Sequence, residues 1–126
     1  MGKFEREMRA KMMPADATDV VFISDEHSGR SVTGTGAIVR GNVGEASFRA
    51  FAKAQGYMLA SNAMDNADVN ARDENPHPDM MHLVIPDGAP EPANYLSYCC
   101  IHRNNGGTVL VYDNDRQILY GWYMHH

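Results

Sequence analysis

The sequence predicts an α+β fold in one domain spanning residues 1–126: a mostly antiparallel sheet of about six strands, ending in a three-stranded meander, with two short helices against it. Three observations carry this. The last third holds three β-branched and aromatic runs separated by turn residues. Two earlier stretches repeat apolar residues at helical spacing. The strands cluster at the C-terminus instead of alternating with helices, which argues against a doubly wound parallel sheet.

Taken in order, Lys3 to Met12 reads as an amphipathic helix with Phe4, Met8 and Met12 on one face, and Pro14 ends it. Glu5–Arg9 and Glu7–Lys11 are i,i+4 pairs in the favourable order. Val20 to Ser24 is a strand, followed by the polar turn 25–29. Ser31 to Val39 alternates into a second strand, with a tight spot at Gly34 and Gly36. The strongest helix runs from an N-cap at Gly44 to Gln55. Val43 staples against Phe48, Phe48, Phe51 and Ala52 form the buried stripe, and Gly56 is the stop. Tyr57 to Ala60 is a short strand. Asn62 to Pro78 lacks apolar periodicity and reads as a long exposed loop, the most mobile stretch expected in the chain. Met80 to Ile85 reads as a strand, and Pro86 to Asn94, with three prolines, as a connector.

Tyr95 to Arg103, Thr108 to Asp113 and Gln117 to Met124 form the meander. Two-residue turns at Asn105-Gly106 and Asn114-Asp115 set its expected register. One face then gathers Tyr98, Cys100, His102, Val109, Val111, Ile118, Tyr120 and Trp122, and the other Cys99, Ile101, Leu110, Tyr112, Leu119 and Tyr123. A sheet with one wet face alternates apolar with polar, and this one does not, so both faces must be covered. The expectation is that the helices cover one face, and that a homodimer or a partner covers Tyr120 and Trp122 on the other.

Composition narrows the function classes. Met1 to Met13 carries six charged residues, so no targeting segment is expected there, and no apolar run approaches a membrane span. Adjacent Cys99 and Cys100 point to opposite faces of a strand and do not bridge each other, which fits a reducing, cytoplasmic setting. The formal charge is −5, and the segment 63–94 carries seven acids against Arg72 alone. Direct binding to a nucleic-acid backbone, which needs a basic face, is not expected.

Four constellations in the sequence carry residue types suited to chemistry. His77, Asp79 and His82, joined by His102, are ligand types that hold zinc or manganese and leave room for a catalytic water, although their spacing matches no metal signature. The run 66–71 imitates a calcium loop, but Ala71 and His77 stand where Gly and Glu are required. Gly34-Thr35-Gly36 lacks the third glycine of a dinucleotide fingerprint; Arg40, Gly41 and the amides near Gly44 remain an anion-site candidate at a helix start. Cys99-Cys100 with His102 invites a thiol nucleophile, but a mid-strand cysteine is the ordinary buried kind.

The preferred expectation is a small, acidic, non-enzymatic protein that binds another macromolecule, in the manner of inhibitors, immunity factors or accessory proteins, including those of viruses and mobile elements. Its surface would be Asp65, Asp68, Asp73 and Glu74 with Tyr120 and Trp122, its partner a protein with a basic surface, and it would need no cofactor. The rival is a metal-dependent hydrolase built on the histidine–aspartate group. A binder of a small anion at Arg40, Gly41 and Gly44 is a further alternative.

Overall fold

The computed structural model describes residues 3–24, 35–65, 67, 81, 84–102 and 106–125. Two helices, α1 (Lys3–Met12) and α2 (Glu45–Gln55), accompany six strands: β1 (Thr18–Ser24), β2 (Thr35–Asn42), β3 (Ala60–Ser61), β4 (Tyr95–Ile101), β5 (Gly107–Asp113) and β6 (Ile118–His125). They form one antiparallel sheet in the order β1-β2-β6-β5-β4-β3. The α+β class, the two helices and the C-terminal meander are those the sequence predicts.

The sheet has two cores because its central strand is apolar on both sides. Val109, Leu110, Val111 and Tyr112 of β5 have no exposed surface. The first face gathers Leu96, Leu110, Tyr112 and Leu119 with Val39 of β2, beneath Met12, Met13, Val43 and Phe48. The second gathers Cys99, Ile101, Val109, Val111, Tyr120 and Trp122, beneath Val84 and Ile85. Each cover comes from a long connection. The β2–β3 connection carries α2 over the first face beside α1, and the β3–β4 connection lays Met64, Met81, Val84, Ile85 and Ala89 over the second.

The helices are placed by specific contacts. Gly44 caps α2 in extended conformation, and Gly56 ends it with φ 77, returning its N–H to the carbonyls of Ala52 and Lys53. Tyr112 stacks on Phe48 with centroids 4.9 Å apart, and its hydroxyl donates to the Val43 carbonyl at 2.8 Å. At the end of α1 the carbonyls lacking intrahelical partners are satisfied one by one. Met13 N–H donates to Arg9, the Gln55 amide to Ala10, and the Tyr57 hydroxyl to Lys11. Met12 and Met13 can then sink onto the sheet where it has no side chains: a Cβ on Gly41 would lie 2.9 Å from the Met13 sulfur, and one on Gly121 would lie 3.2 Å from Met12. Lys11 does not turn to Glu7; its ammonium sits 5.3 Å from the Tyr123 ring centroid.

Several expectations need correction. The β4–β5 turn is longer than two residues: Ile101 faces Gly107 and His102 N–H donates to Gly106, with 103–105 between them. The shift from the expected pairing is odd, so the β4 side chains exchange faces. Cys99 and Ile101 join Val109 and Trp122, while Tyr98 joins the helix side. Gly107 makes this pairing possible, because at φ 153 a side chain would run into the Cys100 carbonyl oxygen. The β5–β6 turn spans four residues, Asn114 to Gln117, organised by buried Asp113. Its carboxylate accepts the N–H groups of Asp115 and Arg116 and pairs with the Arg116 guanidinium at 3.0 Å. That shift is even, and the faces survive.

Where the sequence predicts a strand over Met80 to Ile85, the described Met81 and Val84 are helical in place of extended, with Ile85 N–H donating to Met81 O at 2.9 Å; 80, 82 and 83 lie outside the described residues. The strand expected at Tyr57–Ala60 is the shorter β3, and the second strand, expected to end at Val39, runs on to Asn42, while 31–34 lie outside the described residues. The start of the expected loop 62–78 is tied to β4: Asn62 N–H donates to Tyr95 O, Ala67 N–H to Cys99 O, and the Ser97 hydroxyl to Ala63 O. Residues 66 and 68–78 lie outside the described residues.

Two substitutions test this packing. Tyr112→Phe removes the donor to a buried carbonyl and should cost about 1–3 kcal/mol in urea unfolding with an unchanged slope. Gly107→Ala should cost well over about 1 kcal/mol, because the new Cβ meets backbone that cannot yield. A neutral result for Gly107→Ala would contradict the β4–β5 register.

Candidate functional site

The covers give the two faces of the molecule opposite charge. Over the second face the apolar groups of the β3–β4 connection point inward: Val84, Ile85 and Pro92 are buried. Its described carboxylates, Asp65, Asp87 and Glu91, are exposed, and none forms an ion pair with a described residue. Asp68, Asp73 and Glu74 of the expected surface lie outside the described residues. Across the sheet, α1 and α2 together carry six lysines and arginines against three glutamates.

Between the helices runs an open groove of about 380 Å3, lined by Arg6, Arg9, Ala10, Met13, Ala15, Phe51 and Gln55. Its walls are fixed from beneath. The Phe51 ring meets Tyr57 edge-on at 6.3 Å, and Tyr57 stacks on Tyr98 at 4.2 Å while bonding the end of α1. Burial, followed by the neighbouring Cys100, pushes the phenols of Tyr57 and Tyr98 up, so both keep their protons at neutral pH. On the far side of α2, Arg49, Lys53, Tyr57 and Leu59 border a shallow depression beside Met58, which is 87% exposed. The sequence signal for the groove was present in the cations of α1 and in the Phe51 stripe. That Phe51 stays half-buried depends on the angle between two helices, which local spacing does not report.

The remaining candidates are dispersed. Tyr120 and Trp122 are 2% and 6% exposed, covered by the chain's own Val84–Ala89 stretch, so they form no interaction surface and the reason for expecting a homodimer there is removed. Arg40 and Gly41 point to opposite faces of β2: Arg40 pairs with Tyr120, whereas Gly41 is filled from above by Met13. The start of α2 near Gly44 already has carboxylates of this chain beside it, Glu45 and Asp16, the latter accepting from the Ser47 hydroxyl at 2.7 Å. Arg40 is therefore not brought to that helix end as an anion site would need. His102 is exposed just beyond β4, while His77, Asp79 and His82 lie outside the described residues. Among the described residues no three histidine, cysteine or carboxylate side chains come together as metal ligands. No described helix is long and apolar enough to cross a membrane.

Burial, then the neighbouring Cys100 and Asp65, pushes the Cys99 thiol up to about 12. Cys99 is therefore a neutral, enclosed thiol at physiological pH, unlike an activated nucleophile. Its folded value lies above the ordinary 9.0, so the stability linked to it is intact below about pH 9 and is lost as pH rises toward 12. Iodoacetamide at neutral pH should label half-buried Cys100 first, with Cys99 modified only on unfolding. Equal labelling rates by mass spectrometry would contradict this placement. No protein-family model matches the chain, and no match is found among curated proteins or solved structures.

Proposed function

We propose that this chain is a non-enzymatic binding protein that acts on another macromolecule, with its acidic cover steering a partner that presents a basic surface. One observation carries the reading: the cover over the second sheet face buries its apolar groups and turns Asp65, Asp87 and Glu91 outward without a described cationic partner. Such a layer is held by its apolar underside, so its carboxylates are free to set the field that an approaching partner meets. Charges of this kind raise association rates and are screened by salt. The neutral, enclosed Cys99 supports the same reading, because the one cysteine with a buried environment is tuned away from reactivity.

Affinity capture from the native host extract, with wild-type protein and with Asp65, Asp68, Asp73 and Glu74 changed to Asn or Gln, tests the proposal. The captured partner should bind the neutralised variant about tenfold more slowly at low salt, with a flatter salt dependence and a similar dissociation rate. An unchanged association rate would remove the steering role. Stoichiometric metal in untagged protein would instead favour the hydrolase built on His77, Asp79, His82 and His102.

A further inference from the structure

We propose that the groove between α1 and α2 is a second docking surface, taking an amphipathic segment of a partner protein that carries carboxylates beside its apolar anchors. This goes beyond the acidic cover and does not depend on it, since the groove lies on the opposite face of the sheet. The lining is apolar between its polar groups, with Met13 and Phe51 as the large side chains and Ala10 and Ala15 as small ones, so it offers burial to apolar anchors. The rim is cationic, with Arg6 and Arg9 on α1, one turn apart and both lining the groove. Helix-in-groove recognition combines these two features: apolar anchors supply the burial, and rim charges select and orient the partner.

The groove is also preorganised. Gln55 reaches across to the Ala10 carbonyl at 3.2 Å and Tyr57 to the Lys11 carbonyl at 3.0 Å, so the two helices are tied at one end before anything binds. A binder then loses little freedom in the receptor, which is where much of the cost of association ordinarily lies.

Charge decides among the possible occupants. Two copies meeting through their helix layers would set Arg6 and Arg9 against their equivalents, each layer having a cationic excess. A copy docking its acidic cover there would make a head-to-tail contact, which builds a ring or an open filament and would appear as concentration-dependent assembly. A phosphate-rich surface would find an apolar floor between the two arginines and a chain of net charge −5 behind them. A foreign acidic, apolar-anchored segment meets none of these obstacles.

The test uses the intact protein and a synthetic helical peptide of about 18 residues, long enough to hold helix in water, with Leu along one face and Glu flanking it. A matched peptide with Lys in place of Glu is the control. The Glu peptide should shift the NMR signals of the Ala10 and Met13 methyls and the Phe51 ring. Its affinity should fall at least about tenfold in Arg6→Glu/Arg9→Glu, a variant that should then prefer the Lys peptide. Both positions lie at the surface rim of the groove, and an unchanged melting temperature confirms that the variant is folded. Equal binding of the two peptides, shifts mapping elsewhere, or no binding would overturn the proposal. So would anionic vesicles moving these signals where the Glu peptide does not, or a concentration-dependent dimer that the charge reversal abolishes.

Discussion

Everything in this molecule follows from a strand that has no polar side to give to water. Val109, Leu110, Val111 and Tyr112 are consecutive and all fully buried, so β5 requires apolar cover above and below. Fully burying one such side chain is worth about 1.5–3 kcal/mol, whereas leaving either face open would forfeit several of those contributions together. The chain meets this with its two longest connections. One crosses from β2 to β3 as a helix, and the other returns from β3 to β4 with Met64, Val84, Ile85 and Ala89 laid on the second face. The two covers differ in surface: the helices carry a cationic excess, and the described residues over the second face expose Asp65, Asp87 and Glu91.

The helix side is the more tightly specified of the two. Its ring contacts from Phe51 through Tyr57 to Tyr98, the Tyr112 bond to Val43, and the two methionines seated over Gly41 and Gly121 hold the helices to the sheet. The Tyr57 and Tyr112 hydroxyls each donate to a backbone carbonyl, of Lys11 and Val43. A groove whose walls are held this way keeps its shape in the free protein, and that separates a docking surface from a transient crevice.

What could be read from sequence divides along a physical line. Helix ends are local, and both helices fall where their stripes and glycines place them, α1 over Lys3–Met12 and α2 between Gly44 and Gly56. The apolarity of both sheet faces was legible for the same reason. The register was not, because it turns on how many residues a hairpin spends in its loop. An odd error at Gly107 exchanged Tyr98 and Cys100 for Cys99 and Ile101, while an even error at Asp113 did no harm. Met80–Ile85 is β-like in composition, yet its described Met81 and Ile85 are joined by a helical hydrogen bond, as a buried apolar run can be in either state. The interface expected at Tyr120 and Trp122 gives way because their cover, Val84 and Ile85 with Met81 and Ala89, comes from a stretch that the sequence reads as a strand and a connector, with nothing local to place it on that face. The Arg6–Arg9 groove was missed because it exists only once two helices have been placed side by side.

The central claim is that one chain closes both faces of its own sheet. Trp122 is the only tryptophan, lies on the second face and is 6% exposed, so its fluorescence reports that closure without labelling. Acrylamide quenching should be measured across a dilution series that ends well below micromolar, with mass checked by light scattering at the concentrated end. Self-coverage predicts blue-shifted, weakly quenched emission that does not change with concentration. Emission that shifts red and becomes quenchable on dilution would show that a second molecule supplies the cover, and would contradict the account.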